Sequence, residues 1–303
     1  MSPTRPVRSN LSIIDGEPRP DVAILGAGII GLACARELMA AGLSVVVLER
    51  DRPGAGASGA SAGMIAPLAE TPTPGPLFEA CRASRTLWPD WAHALAEETG
   101  RPIEYDASGT LQIALDEEGL THLERLEAGA RALGEPLAEL SPADLRRRIP
   151  GLSGHVLRSL LFPGDHRVDN IQVVAALARA VQRSGGLVLG EREVLAVEVH
   201  PDEVRLIGEG WRMEAGLLVV ASGAWSGEIA GLPALPVRPV RGQMIRIGGV
   251  AWDFRGAVRN QHFYAVCRGP SDLSIGATVE EAGFGQRTTV GGLAKLFDFV
   301  LET

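Results

Sequence analysis

A six-residue glycine motif constrains the fold of this chain more than any other feature of its sequence. The motif follows an apolar run at residues 21–25, which is typical of a buried parallel strand, and precedes a helical pattern closed by Gly42. Residues 44–48 then predict a second, β-branched strand. The order strand, helix, strand predicts one unit of a Rossmann-like α/β fold that binds a dinucleotide. The motif matches G-x-G-x-x-G and consists of Gly26, Ala27, Gly28, Ile29, Ile30 and Gly31.

Each glycine of the motif has a physical role. Gly26 permits the tight turn, Gly28 lets the backbone approach a pyrophosphate, and Gly31 lets the helix pack closely on the strand. The N-terminus of the helix offers N–H groups and partial positive charge to phosphates. Glu49 ends the second strand, where a carboxylate can bind ribose hydroxyls and would repel the 2′-phosphate of NADP. NAD and FAD both remain compatible, whereas a simple packing turn would leave Glu49 unexplained.

The segment that follows the second strand is made almost entirely of small residues. Residues 57–64 read Ala-Ser-Gly-Ala-Ser-Ala-Gly-Met and contain no large side chain before Met64. Such a segment brings backbone and hydroxyl groups close to a flat ligand. The alternative interpretation is a flexible loop of glycine and alanine.

Composition and charge exclude several classes of function. The formal net charge of -8 argues against a nucleic-acid partner held through its phosphates. Lys295 is the only lysine, and it follows Ala294 in an apolar helical pattern. It therefore fits neither a pyridoxal-phosphate site nor a Walker A loop.

The cysteines and histidines show no paired spacing. Three cysteines and six histidines are dispersed along the chain, so we predict neither a disulfide framework nor a metal site, and the chain fits a reducing compartment. Residues 1–20 are polar and lack the apolar run of a signal peptide, which predicts a flexible N-terminal tail. No stretch reaches the roughly 18 apolar residues of a membrane span. We therefore expect a cytoplasmic protein.

The rest of the chain predicts an α+β insert, a second α/β stretch and a β-rich end. Helical patterns occur at 77–99, 117–133, 142–148, 170–183 and 293–301. Strand patterns occur at 103–105, 110–115, 187–189, 193–200, 204–207, 217–221, 241–247, 257–266 and 273–277.

Several motifs, taken in order, resemble the D-amino-acid oxidase family of flavoproteins, and most closely the glycine oxidases of thiamine biosynthesis. The resemblance covers about residues 21–302. The segments that carry it are VAILGAGIIGLACARELMAAGLSVVVLER, ASGASAGMIAP, LFPGDHRVDN, LVVASGAWS, PVRGQMIRI, HFYAVCR and SIGATVEEAGF.

The resemblance implies two interleaved domains. An FAD-binding domain would comprise residues 21–82 and 154–229, and an α+β, sheet-based substrate domain would comprise residues 83–153 and 230–303. The family's substrate domain continues past this point, so its C-terminal end is expected to be missing.

The resemblance also assigns cofactor contacts. Glu49 and Arg50 would meet the adenosine, and Val194 would touch the adenine through its backbone, unless it is a plain core residue. The diphosphate and flavin would be lined by four residues of the small-residue segment, namely Ser58, Ser61, Gly63 and Met64. Ala221 and Gly223 would pass close to the cofactor.

The chemistry implied is oxidative deamination of a small amino acid, with oxygen or another electron acceptor regenerating FAD. Tyr264 matches a family tyrosine beside the substrate carboxylate, and His262 is expected to face the same side of the same strand. Other amines, such as sarcosine or a D-amino acid, stay open as substrates. A non-catalytic dinucleotide-binding module is a further alternative. Related enzymes often form homo-oligomers.

Three departures from the family pattern stand out. Val279 replaces a frequent methionine, and Cys267 replaces a usual proline. The third departure is larger, because the family arginines that clamp the substrate carboxylate have no counterpart here. We therefore also consider a truncated chain of impaired activity.

Overall fold

The computed structural model describes residues 12–13, 19–152, 154–250, 252–269 and 271–302. Eighteen strands are found in these residues: β1 (Ser12–Ile13), β2 (Val22–Leu25), β3 (Val45–Leu48), β4 (Met64–Ile65), β5 (Tyr105–Asp106), β6 (Thr110–Ala114), β7 (Ala138–Glu139), β8 (Arg158–Phe162), β9 (His166–Val168), β10 (Leu187–Leu189), β11 (Val194–Val199), β12 (Val204–Gly208), β13 (Trp211–Ala215), β14 (Leu217–Val220), β15 (Ile245–Ile247), β16 (Ala257–Arg259), β17 (Tyr264–Arg268) and β18 (Asp272–Gly276).

The helices in the same residues are α1 (Ile29–Ala40), α2 (Ala57–Ala60), α3 (Pro67–Glu70), α4 (Pro76–Thr99), α5 (Glu117–Leu133), α6 (Pro142–Arg148), α7 (Asn170–Arg183) and α8 (Val290–Glu302), with a 3-10 helix at Gly223–Gly227. Within this described part, no helix is both long and apolar enough to cross a membrane.

The chain folds into two compact units. The first takes its described residues from ranges 1–60, 95–102 and 170–239, and the second from 61–94, 103–169 and 240–303. The units are therefore interleaved along the sequence, as predicted.

The first unit is built on a parallel sheet. Its strand order is β10-β3-β2-β14, and all three pairings are parallel. Both β2 and β3 are buried along their whole length, which explains why their sequences are continuously apolar. The predicted strand–helix–strand unit is confirmed as β2, α1 and β3.

A second sheet packs on this parallel sheet. Its order is β1-β13-β12-β11, and its apolar residues share one core with the parallel sheet. Leu206 and Met213 of this second sheet lie in the same buried cluster as Leu25 and Leu48. The predicted N-terminal tail falls mostly outside the described residues, but β1 within it pairs in parallel with β13.

The second unit is built on a seven-stranded sheet of order β15-β18-β17-β16-β6-β8-β7, in which only the β16–β6 pair is parallel. Helix α5 packs on one face through Leu123 and Leu126, and α6 packs through Leu145. Helix α8 covers β17 and β18 through Leu296 and Phe299. A small sheet of order β4-β9-β5 completes the unit.

The predicted strand at 257–266 is wrong. These residues form parts of a hairpin, β16 and β17, whose turn is closed by the side chain of Asn260. Asn260 Oδ1 accepts hydrogen bonds from the N–H groups of His262 at 2.9 Å and Phe263 at 2.7 Å. An asparagine that binds the backbone two and three residues ahead stabilises a turn rather than a strand.

The compact units also differ from the predicted domain limits. Residues 61–82 and 154–169 lie in the second unit, because β4 pairs with β9 and β8 pairs with β6. These long-range pairings leave no local mark in the sequence. The assignment of a function to each domain stays a prediction.

Candidate functional site

The glycine motif forms a turn that no larger residue could occupy. Gly26 follows β2 with a φ of +100°, which favours glycine, and its N–H donates to Leu48 O at 2.7 Å. A Cβ on Gly26 would lie 2.5 Å from Ala221 O. The structure therefore brings together Gly26 and Ala221, two of the predicted cofactor residues.

Gly31 performs the packing role predicted for it. A Cβ at this position would overlap the carbonyl oxygen of Gly26 and lie 3.3 Å from the Cβ of Ala221. Helix α1 can approach β2 this closely only because Gly31 has no side chain. This prediction is confirmed.

The N-terminus of α1 is joined by the small-residue segment. Gly28 is the N-cap residue and makes no side-chain cap, and the first turn carries no acidic residue. Ile29 N–H donates to Ser58 Oγ at 2.9 Å, and a Cβ on Gly28 would lie 3.0 Å from the same oxygen. Ile30 is 67% exposed on this helix tip. The first turn of α1 thus carries no negative side chain that would compete with an anion at the positive end of the helix dipole.

The carboxylate of Glu49 faces the glycine motif. Its Oε2 accepts from Ala27 N–H at 2.8 Å, and its Oε1 accepts from Asp51 N–H at 3.0 Å. A carboxylate has about four acceptor positions, so two amides leave capacity for sugar hydroxyls. Glu49 therefore also links the glycine motif to Asp51, which follows β3. The position of Glu49 in the sequence does not indicate this structural role.

Arg50 lies beside a groove of about 330 Å³ whose lining includes Glu193, Leu195 and Trp211. Its guanidinium stacks 4.2 Å from the ring centroid of Trp225, and its Nη1 is 3.9 Å from Glu193 Oε1. No role was predicted for the stacking partner Trp225, although it lies within the segment LVVASGAWS that carries the family resemblance.

For two further predicted residues of the first unit, the structure shows the backbone pairing or conformation. Val194 begins β11 and pairs with Gly208, with a register irregularity before Ala196. Gly223 begins the 3-10 helix with a φ of +56°, which favours glycine.

Ser61, Gly63 and Met64 lie in the second unit. Gly63 has a φ of +75°, and its carbonyl accepts from Val168 N–H at 2.9 Å. The carbonyl of Ser61 accepts from Arg268 Nη2 at 2.8 Å. The end of the small-residue segment is therefore held by partners distant in sequence, which argues against the flexible-loop alternative for residues 61–64.

Tyr264 packs against the same segment. Tyr264, Met64 and Met244 surround a buried cluster that includes Ala62 and Val266. The Tyr264 hydroxyl donates to Met244 Sδ at 3.5 Å, and burial raises the pKa of this phenol above its usual value. The phenol is consequently protonated at neutral pH and can donate a hydrogen bond.

His262 does not share the strand of Tyr264, and the expectation that both face one side of it is wrong. His262 lies in the turn before β17, with its side chain 54% exposed and Nε2 3.6 Å from Glu118 Oε1. It lines a groove of about 430 Å³ together with Val279 and Lys295. Tyr264 does not line this groove.

Three buried polar residues were missed by the sequence argument. Asn170 binds the small-residue segment near Ser58, and Arg268 binds it at Ser61. Asp165 is only 1% exposed, and burial raises its pKa to about 7, although Arg259 and Arg85 favour its charged form. All three follow or belong to quoted motifs, but nothing in a motif indicates which side chain turns inward.

Comparison with known proteins identifies the family. The model of the FAD dependent oxidoreductase family (DAO) matches residues 21–303. A glycine oxidase of Geobacillus kaustophilus is 32% identical over 283 residues, which cover 92% of this chain and 75% of that protein. A bifunctional protein ThiO/ThiG of Synechocystis is 34% identical, and the match covers 91% of this chain but 41% of that protein.

A solved structure agrees with these relatives. The crystal structure of glycine oxidase from Geobacillus kaustophilus matches with a TM-score of 0.87 and 31% identity, over 94% of this chain and 78% of that one. The predicted α/β fold is thereby confirmed, as is FAD as the cofactor of the family. The chain belongs to the DAO family of FAD-dependent oxidoreductases, and it is an enzyme of that family.

Proposed function

We propose that this chain oxidises a small amino acid, with glycine as the first candidate, in a glycine-oxidase-like reaction that serves thiamine thiazole biosynthesis. One observation carries the substrate part of the proposal. Tyr264 packs with Met64 and Met244, so a protonated phenol lies beside the segment expected to line the cofactor. The similarity to glycine oxidases over most of the chain supports the same reaction class.

The first unit supplies residues that fit the ADP half of FAD. The glycine turn keeps backbone close to the space in front of α1, and the helix tip attracts a pyrophosphate. Glu49 would accept from ribose hydroxyls through the capacity that Ala27 and Asp51 leave. The residues we assign to this half are Gly26, Gly28, Ile30, Gly31, Glu49, Arg50, Ser58, Val194, Ala221 and Gly223.

The second unit supplies residues that fit the flavin and the substrate. Ser61, Gly63 and Met64 would line the diphosphate–flavin region, and the hydroxyl group of Tyr264 would donate a hydrogen bond to the substrate carboxylate. A charge-assisted hydrogen bond of this kind contributes about 1.5–3 kcal/mol. Its role is to orient the α-carbon rather than to move a proton.

Bound FAD supplies the hydride acceptor in such a reaction. The substrate amine loses a hydride from its α-carbon and a proton from nitrogen, which leaves an imine. Water then converts the imine of glycine to glyoxylate and ammonia, and oxygen takes the two electrons to give hydrogen peroxide. No acid or base from the protein is required when the amine binds uncharged, which agrees with the position of His262 outside the Tyr264 cluster.

An anaerobic titration tests the proposal. The FAD-loaded protein is titrated with glycine, sarcosine and D-alanine while flavin absorbance is followed. We expect glycine to bleach the flavin and air to restore it with release of peroxide. Strong bleaching by sarcosine or D-alanine alone would reassign the substrate. Tight FAD binding without bleaching by any amine would instead support a dinucleotide-binding module.

A further inference from the structure

A buried amide connects helix α7 to the beginning of the small-residue segment. Asn170 is the first residue of α7 and is 3% exposed. Its Nδ2 donates to the backbone carbonyl oxygens of Ser58 at 2.6 Å and Gly59 at 3.2 Å. Both bonds lie within the first unit and join residues more than a hundred positions apart.

The same helix restricts the segment at a second point. A Cβ on Gly54 would lie 2.9 Å from Val174 Cγ1, one turn along α7 from Asn170. Gly54 N–H also donates to Ala27 O at 3.0 Å, and a Cβ on Gly59 would overlap Gly54 O. The segment 54–60 is thus folded tightly between α7 and the glycine motif, so a shift at Asn170 is transmitted to its neighbours.

This restraint determines where Ser58 lies. Ser58 Oγ accepts from Ile29 N–H at the N-terminus of α1. Asn170 binds the carbonyl of the same serine, so the amide determines how far the hydroxyl reaches toward the helix tip.

We propose that Asn170 is a positioning residue for dinucleotide binding. Its amide holds Ser58 and Gly59 so that the Ser58 hydroxyl stays at the tip of α1, and Asn170 itself does not touch the cofactor. The inference rests on the proposed FAD site at this helix.

The test compares FAD dissociation constants of the cofactor-free protein and its variants by flavin fluorescence. Asn170→Ala removes both donors and should weaken FAD binding about tenfold, because binding must then order the freed segment 54–60. Asn170→Asp should weaken it more, since a carboxylate would face two carbonyl oxygens. Asn170→Gln, which keeps the amide but displaces it, should lie between wild type and Ala.

Arg179→Met is the matched control. Arg179 lies on the same helix and donates through Nε to Thr99 O at 2.8 Å, so the variant also loses a hydrogen bond from a side chain of α7 to a backbone carbonyl. It does not bind segment 54–60 and should keep the wild-type FAD affinity within about twofold. A comparable loss in Arg179→Met would show that general destabilisation of α7 explains the effect.

Hydrogen exchange of the cofactor-free protein provides the second measurement. Amides of segment 54–60 and of Ile29 should exchange faster in Asn170→Ala than in wild type or Arg179→Met. Unchanged exchange together with unchanged FAD affinity would overturn the role of Asn170. Failure of the wild type to bind FAD would overturn the proposed function instead, and the exchange data would still decide whether Asn170 restrains the segment.

Discussion

Gly31→Ala sets two opposing effects against each other at the third residue of α1. Alanine favours a helix interior by about 1 kcal/mol over glycine, so helix propensity alone predicts a more stable protein. The structure predicts the reverse, because the new Cβ would overlap Gly26 O. It would also lie 3.2 Å from Gly26 C and 3.3 Å from the Cβ of Ala221, whereas carbon atoms prefer about 3.5–4.0 Å.

The steric clash is expected to lower the free energy of unfolding by more than the helix propensity of alanine raises it. The overlapping atoms are backbone, and Gly26 N–H is bonded to Leu48 O, so the turn cannot rotate away and α1 must move instead. Overpacking a dense interior costs about 1–3 kcal/mol, occasionally more. After the propensity gain is subtracted, we expect a loss of up to about 2 kcal/mol in the cofactor-free protein. Movement of the helix tip should weaken FAD binding further, by about tenfold or more, because charge-assisted hydrogen bonds there depend on its position.

The assay pairs thermal unfolding of the cofactor-free protein with FAD titration. Gly291→Ala in α8 is the control, because a Cβ on Gly291 meets no atom within 4 Å. That variant should be as stable as wild type or up to about 1 kcal/mol more stable. If Gly31→Ala unfolds at the temperature of the control and binds FAD as tightly as wild type, the close-packing argument for Gly31 is refuted.

Glu49→Gln keeps the shape but offers an amide N–H₂ to one of two backbone donors, so the cofactor-free protein should lose about 1–2 kcal/mol, measured by its thermal midpoint, and FAD should bind more weakly. Tyr264→Phe should raise KM for the amino acid about tenfold in steady-state assays and leave FAD affinity unchanged. Folding raises the pKa of Asp165 to about 7, so the native state holds a proton that the unfolded chain releases above about pH 4. The free energy of unfolding should therefore fall between about pH 4 and pH 7, and Asp165→Asn should remove this fall. The variant should exceed wild type by up to about 4 kcal/mol at pH 8 and match it near pH 4 in thermal unfolding. A constant difference at both pH values would contradict a proton bound at Asp165.

Elements with local signals could be predicted from the sequence. Helix α5 has the predicted limits because Asp116 caps its first turn through Gly119 N–H, and Gly134 ends it with a φ of +68°. Helix α6 begins after Ser141 with proline in its first turn, which is a similarly local signal. The continuous apolar runs of β2 and β3 likewise mark buried parallel strands.

Elements that depend on distant pairing were missed or misplaced. Strands β8 and β13 were not predicted, although β8 pairs with β6 and β13 pairs with β12. Single-sequence patterns describe a strand's exposure rather than its partner. The hairpin at 257–268 was missed for a different reason, since a single asparagine side chain interrupts an otherwise continuous pattern.

The residues of the candidate site show the same difference between local signals and distant contacts. Gly26 and Gly31 could be predicted because the chemistry that requires them, a tight turn and a close helix, acts within a few residues. Ser58 and Ser61 could be named from their segment, but their positions depend on Asn170 and Arg268, which are 112 and 207 residues away. A motif therefore specifies which groups meet a ligand, whereas distant side chains determine whether those groups lie where the ligand needs them. Substitutions at such distant residues should change affinity even though every residue of the motif is intact.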